Sequence, residues 1–261
     1  MTQSEPVVLS LEGAVATLVL NRPASLNALS REVMRALEAK LMEVAALPHL
    51  RAVIVTGTGR AFSAGGDLIE FGEALDSDKN GLLADLRYNQ DVLQRVEDLP
   101  VPVIGAANGV AVAGGLELLL CCDIILAADD ARIGDGHARY GVVPAGGATV
   151  RLGERISSSR AARLFYTAGL VDAATLRGWG LVDEVVPAER LMARAAEMAG
   201  EIARQSPEVV RRMKALAGPA ARDPRRQARM RAELEAFARH VHGRDLASGL
   251  AAFREKRRPA Y

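Results

Sequence analysis

Short apolar runs alternate with helix-spaced stretches through the first half of this chain, and no other feature constrains its fold as strongly. Residues 52–56 and 101–106 are apolar at almost every position, as are residues 124–127; this is the pattern of strands covered on both faces. Between the first strands, Val33, Leu37, Leu41 and Val44 recur at helical spacing behind Ser30, a side chain suited to capping a helix. Residues 82–99 form a second amphipathic stretch. Upstream, residues 7–11 and 14–20 read as two strands around a turn at Glu12-Gly13. Such alternation gives an α/β fold with right-handed crossovers. The polar stretch 76–81 reads as a mobile loop. From about residue 157 helical spacing dominates, in residues 159–167, 173–179, 188–205, 207–217, 225–240 and 245–256, with a single strand at 182–186. A boundary near residue 200 divides an α/β core, residues 1–200, from a C-terminal helical region, residues 201–261.

Composition narrows the function. With 49% hydrophobic and 25% charged residues over 261 positions, the chain buries a full core without disulfides. A formal net charge of +1 and 4% aromatic residues leave no basic, aromatic-studded surface for nucleic acid. Cys121 and Cys122 are adjacent, point in different directions and read as small buried apolar residues. No zinc-ligand spacing occurs, and the four histidines are scattered, so no metal site is expected. The longest apolar run, residues 116–122, is interrupted by Glu117 and is too short to cross a bilayer. The N-terminus lacks the basic-then-apolar pattern of a secretory leader. A cytoplasmic location is the expectation.

Two glycine turns carry the chemistry: Ser63-Ala64-Gly65-Gly66-Asp67 and Ala113-Gly114-Gly115-Leu116-Glu117. Each follows an apolar strand and opens a helix, where free N–H groups favour negative charge. Neither turn carries the lysine of a phosphate-binding loop, and neither matches the dinucleotide fingerprint. No Gly-x-Ser-x-Gly elbow is present for a serine hydrolase.

Ala61-Phe62-Ser63-Ala64-Gly65-Gly66-Asp67-Leu68 and the segment from Asn108-Gly109 through Glu117-Leu118 resemble the two oxyanion segments of the crotonase superfamily, the enoyl-CoA hydratase/isomerase family. Cys122-Asp123-Ile124-Ile125 follows at the family spacing. The stretch from Asn21-Arg22-Pro23 to Asn27-Ala28-Leu29 resembles the coenzyme-A edge, and Ala252-Phe253-Arg254-Glu255-Lys256-Arg257 resembles the last helix. The likeness runs from about residue 7 to residue 258. It implies an α/β, crotonase-like core of spiral ββα repeats with a C-terminal helical trimerisation region. It implies an acyl-CoA substrate, with coenzyme A entering as part of the thioester and no cofactor bound permanently. The N–H groups of Ser63 and Gly114 would form an oxyanion hole, worth about 3–4 kcal/mol per donor. Glu117 would be the general acid/base. Arg22, Ala24, Leu26, Ala61, Ser63, Gly65, Asp67 and Leu68 would follow the coenzyme, and Phe253 and Lys256 would reach it from a neighbouring subunit of a homotrimer or homohexamer. Leu234, Phe237, Val241 and Leu250 are candidates for the apolar subunit interface.

One departure bears on the reaction. The family's second catalytic glutamate falls on His137, in Gly134-Asp135-Gly136-His137-Ala138-Arg139-Tyr140-Gly141-Val142-Val143-Pro144. Imidazole donates or accepts a proton near neutral pH, so His137 either does the missing carboxylate's work or serves the turn structurally. Asp135 is an alternative replacement acid. Ser248, where many relatives carry glutamate, carries no functional expectation. Hydration of a 2-enoyl-CoA to a 3-hydroxyacyl-CoA leads the readings. Thioester hydrolysis, carbon–carbon cleavage of a β-keto compound, decarboxylation and positional isomerisation stay open, as does non-catalytic acyl-CoA binding. The acyl pocket is expected around residues 70–88.

Overall fold

A computed structural model describes residues 5–217, 223–259 and 261. The chain opens with an antiparallel hairpin, β1 (Val7–Glu12) against β2 (Val15–Leu20), in register Val7 to Leu20. Ser30 then caps α1 (Arg31–Ala45), its hydroxyl accepting from the Val33 N–H at 3.3 Å, and the stripe Val33, Leu37, Leu41, Val44 is buried. Beyond it the chain winds as a spiral. Strand β3 (Ala52–Gly57) enters a large sheet and β4 (Ala61–Ser63) a small one, before α2 (Leu68–Ser77) and α3 (Lys79–Glu97). The next turn repeats this with β5 (Val103–Ala107), β6 (Val110–Val112) and α4 (Gly114–Leu120). A third adds β7 (Ile124–Ala128) and β8 (Arg132–Gly134), followed by a 3-10 turn at His137–Tyr140, α5 (Ala148–Arg155) and α6 (Ser158–Thr167).

After these come β9 (Val171–Asp172), α7 (Ala173–Trp179), β10 (Glu184–Val186), α8 (Leu191–Ala203), α9 (Pro207–Ala217), α10 (Pro224–His240) and α11 (Arg244–Arg254). The large sheet has the order β1-β2-β3-β5-β7-β10, parallel from β2 onward. The small sheet has the order β4-β6-β8-β9, with only β9 antiparallel. This is the crotonase-like architecture of spiral ββα repeats.

Two apolar cores result. The larger joins the large sheet to α1, α3, α4 and α8 through residues such as Leu37, Ile54, Val96, Ile104 and Leu119. The smaller lies between α2, α3, α10 and α11 and includes Ala74, Leu82, Phe237, Val241, Leu246 and Leu250. Phe237, Val241 and Leu250 are at most 3% exposed, so these proposed interface residues are occupied within their own chain, and Leu234 packs against the same cluster. The expected loop at 76–81 is also corrected. It is helix on both sides of Asp78, which ends α2 and caps α3 by accepting from the Gly81 N–H at 2.9 Å. Its polar residues mark an exposed helix junction, not a break in helical structure.

Candidate active site

The small sheet explains why residues distant in sequence meet. Strands β4, β6 and β8 are parallel neighbours, paired Ala61 to Val110 and Ala111 to Ile133. Their carboxyl ends therefore lie at one edge, where the chain leaves into residues 64–67, 113–117 and 135–137. The first two exits are the glycine turns, and they touch. Gly65 has φ +86°, and a Cβ there would stand 2.7 Å from the Val112 carbonyl and 3.1 Å from the Gly114 nitrogen. Only glycine allows this approach. Ala113, with φ 52° and ψ −119°, holds a conformation that costs an alanine about 1–3 kcal/mol, at the point where the chain turns into α4. Gly114 is the first residue of that helix, so its amide is among those without an intrahelical partner. Asp67 caps α2, its Oδ1 accepting from Ile69 N–H at 3.2 Å.

Beside these turns lies a cavity of about 180 Å³. Gly114, Glu117 and His137 line one end of it, with Ala64, Gly66 and Asp67. Leu68, Phe71, Leu82, Leu86, Val142 and Phe237 give it an apolar wall, and Arg31, Glu70, Asp85 and Asn89 add polar groups. Glu117 is 4% exposed. Its Oε1 accepts from the Gly146 and Ala148 N–H groups at 2.9 and 3.2 Å, leaving Oε2 without a protein partner among the described residues. Burial pushes its carboxyl up to about 6; His137 opposes this, while Glu233 and Asp135 reinforce it.

His137 Nδ1 pairs with Asp135 Oδ1 at 2.9 Å, and Asp135 Oδ2 accepts the His137 backbone N–H at 3.3 Å. Nε2 has no protein partner among the described residues. Burial disfavours the imidazolium, but the charge and hydrogen bond of Asp135, helped by Glu117 and Glu233, outweigh it and raise the group to about 9. At neutral pH the site therefore holds a charged imidazolium and a largely ionised carboxylate. Asp135 is 1% exposed and does not border the cavity, so it supports His137 and is not a replacement acid facing substrate.

The remaining sequence-predicted residues fall into four groups. Asp67 and Leu68 line the cavity. Ala61, Ser63 and Gly65 are buried immediately behind it; the Ser63 hydroxyl donates to Asn27 O at 2.8 Å and accepts from Gly65 N–H at 3.1 Å, so it is spent on structure. Arg22, Ala24 and Leu26 form a partly exposed turn outside the cavity, tied to it where Ala64 N–H donates to Leu26 O at 2.9 Å. Phe253 packs edge-on against Tyr140, a cavity residue, with ring centres 5.4 Å apart, whereas Lys256 is exposed and does not line the cavity of its own chain.

The expected acyl region, residues 70–88, supplies part of the wall, including Phe71, Leu82 and Leu86; Leu93, Val142, Val143 and Phe237 were not anticipated as lining. Also unanticipated were Gly146, Ala148 and Glu233. The pair Gly146-Gly147 ahead of α5 is a third glycine turn and was the available signal. Among the described residues no group of three or more His, Cys, Asp or Glu could hold a metal, and no helix is long and apolar enough to cross a membrane.

Comparison with known proteins agrees with this geometry. The enoyl-CoA hydratase/isomerase family model matches residues 10–261. The chain is 33% identical to a crotonyl-CoA hydratase of Syntrophomonas wolfei, covering 97% of this chain and 96% of that one. It is 36% identical to a short-chain-enoyl-CoA hydratase of Clostridium acetobutylicum, covering 78% of each. A crystal structure of an enoyl-CoA hydratase/isomerase from Pseudoalteromonas atlantica T6c superposes with a TM-score of 0.85 at 30% identity, over 98% of this chain and 99% of that one. The chain belongs to the enoyl-CoA hydratase/isomerase family.

Proposed function

We propose that this protein adds water across the double bond of a 2-enoyl-CoA thioester, giving the 3-hydroxyacyl-CoA. One observation carries the reading: Glu117 and His137 border the same cavity beside the N-terminus of α4, and Glu117 Oε2 and His137 Nε2 have no protein partner among the described residues. Ionised Glu117 takes a proton from water as the water oxygen bonds to Cβ of the substrate. The π electrons move to the thioester oxygen, where the Gly114 amide at the cavity wall holds the enolate; Ser63, buried behind the cavity, does not line it. Charged His137 then gives its proton to Cα, and the proton on Glu117 returns the site to its starting state through solvent. The charge states support this division of labour, because an imidazolium at neutral pH donates protons and is a poor base for activating water toward thioester hydrolysis.

Activity is expected between about pH 6, below which Glu117 is protonated, and about pH 9, above which His137 loses its proton. Loss of enoyl-thioester absorbance with mass-spectrometric identification of the hydroxyacyl product tests the reaction. Glu117→Gln is expected to lower turnover by roughly 10²–10⁴-fold; a variant as fast as wild type removes the mechanism. The reading extends to a cytoplasmic homotrimer or homohexamer in which Lys256 and Phe253 complete a neighbour's coenzyme site. The exposure of Lys256 and of Val209, Met213 and Leu216 on α9 supports assembly. Light scattering that returns a monomer would overturn it.

A further inference from the structure

Two carboxylates divide four consecutive amides at the start of α5. Gly146 and Ala148 donate to Glu117 Oε1 at 2.9 and 3.2 Å. Gly147 donates to Glu233 Oε1 at 2.5 Å and Thr149 to Glu233 Oε2 at 2.8 Å; the Thr149 hydroxyl donates to that same Oε2. The donors thus alternate, 117, 233, 117, 233, along the turn. On its opposite side, Arg151 Nη1 donates to the Gly146 carbonyl at 2.6 Å, and Arg151 is itself paired with Glu97 at 3.1 Å. Glu233 is 5% exposed and sits on α10 between Met230 and Phe237, three residues after one and four before the other, so all three share a buried helix face. Phe237 lines the cavity.

We propose that Glu233 is a positioning residue for the general base, an inference that rests on the hydration reading. The Gly147 amide lies between the two amides that hold Glu117, and Gly147 has φ +98°, where a glycine turn is free to adopt other conformations. With Glu233 gripping that middle amide, the peptide planes on either side cannot rotate. Both donors then stay on Glu117 Oε1, and Oε2 stays available. Glu233 also acts through its charge. The groups facing Glu117 are His137 from the 3-10 turn, Asp135 behind it, Glu233 from α10 and Arg151 from α5. Glu233 favours the protonated form of both Glu117 and His137.

Glu233→Gln tests this through the pH dependence of enoyl-thioester hydration. Loss of one negative charge moves both limbs of the wild-type bell to lower pH, each by roughly half a unit, and kcat falls with KM little changed. A residue that only ties α10 to the fold would lower the melting temperature and leave both limbs in place, and that result overturns the proposal. Glu233→Asp keeps the charge and shortens the reach: limbs unmoved, kcat lowered at constant KM. A wild-type kcat in Glu233→Asp also overturns it, and this variant decides if Glu233→Gln does not fold. The His137 imidazole titration, followed by NMR in wild type and Glu233→Gln, must show the same acid displacement without turnover; no displacement refutes the charge effect. A wild-type protein that hydrates no enoyl thioester fails on its function, separately from this titration.

Discussion

Replacing Asp135 by asparagine separates the shape of the His137 support from its charge. The amide oxygen of Asn can still accept from Nδ1–H, so the ring keeps its seat. Without the carboxylate, the opposition of burial to the imidazolium, already the largest influence on His137, is no longer outweighed by its strongest opponent. The group then falls from about 9 toward its ordinary 6.5, with Glu117 and Glu233 still favouring the imidazolium. At pH 7.5 the protonated fraction drops from roughly 97% toward a limit of roughly 9%, so a reaction that needs His137 as proton donor slows by up to about tenfold at that pH. The upper limb of the pH profile moves down toward the Glu117 limb, and the bell narrows. Initial rates from pH 5 to 10 on one enoyl-CoA, with an NMR titration of His137, measure both effects.

An upper limb still near 9 in Asp135→Asn, or an equal loss at every pH, would refute the reasoning. Stability follows the same linkage. Because the folded value of His137 lies above its unfolded one, the pair's contribution is complete below about pH 6.5 and disappears as pH rises through about 9. The melting difference between wild type and Asp135→Asn should therefore be larger at pH 6 than at pH 10.

Two further substitutions test the walls of the site. Asn27 is 1% exposed; its Oδ1 accepts from Arg22 N–H at 2.8 Å, and its Nδ2 donates to Thr58 O at 2.9 Å and Ala61 O at 2.8 Å. Asn27→Ala strands these groups and should cost about 3 kcal/mol or more in urea unfolding; a loss within error of zero would mean that the coenzyme-edge turn is not clamped this way. Phe237→Ala should cost about 3–5 kcal/mol and lengthen the apolar end of the cavity, raising the ratio of kcat/KM for long over short enoyl chains. An unchanged ratio would show that the acyl chain does not reach Phe237.

The legibility of the sequence followed burial. Strands β3, β5 and β7 are covered on both faces and announce themselves as apolar runs, and α1 shows its cap and its stripe. The small sheet did not, because strands of two or three residues such as β4 and β8 are too short to display a period, and yet its parallel pairing is what brings the site together. Glu117 and His137 were legible through motif spacing. Glu233 was not: it sits among charged neighbours in Arg231–Glu235, and only its place between Met230 and Phe237 on the buried face distinguishes it. The aromatic Phe237 was legible as buried, but whether it faced a subunit or a substrate depends on how α10 folds back over α2 and α3.

The pinning of one oxygen of Glu117 has a consequence for stereochemistry. A carboxylate free to swivel could offer either oxygen, from several directions, to either face of a planar alkene. With Oε1 committed to two backbone amides, one oxygen, Oε2, remains to take a proton, and on the hydration reading the activated water approaches from the side it faces. On that reading, handedness at the new alcohol carbon is set by peptide hydrogen bonds at the start of a helix, whatever the length of the acyl chain.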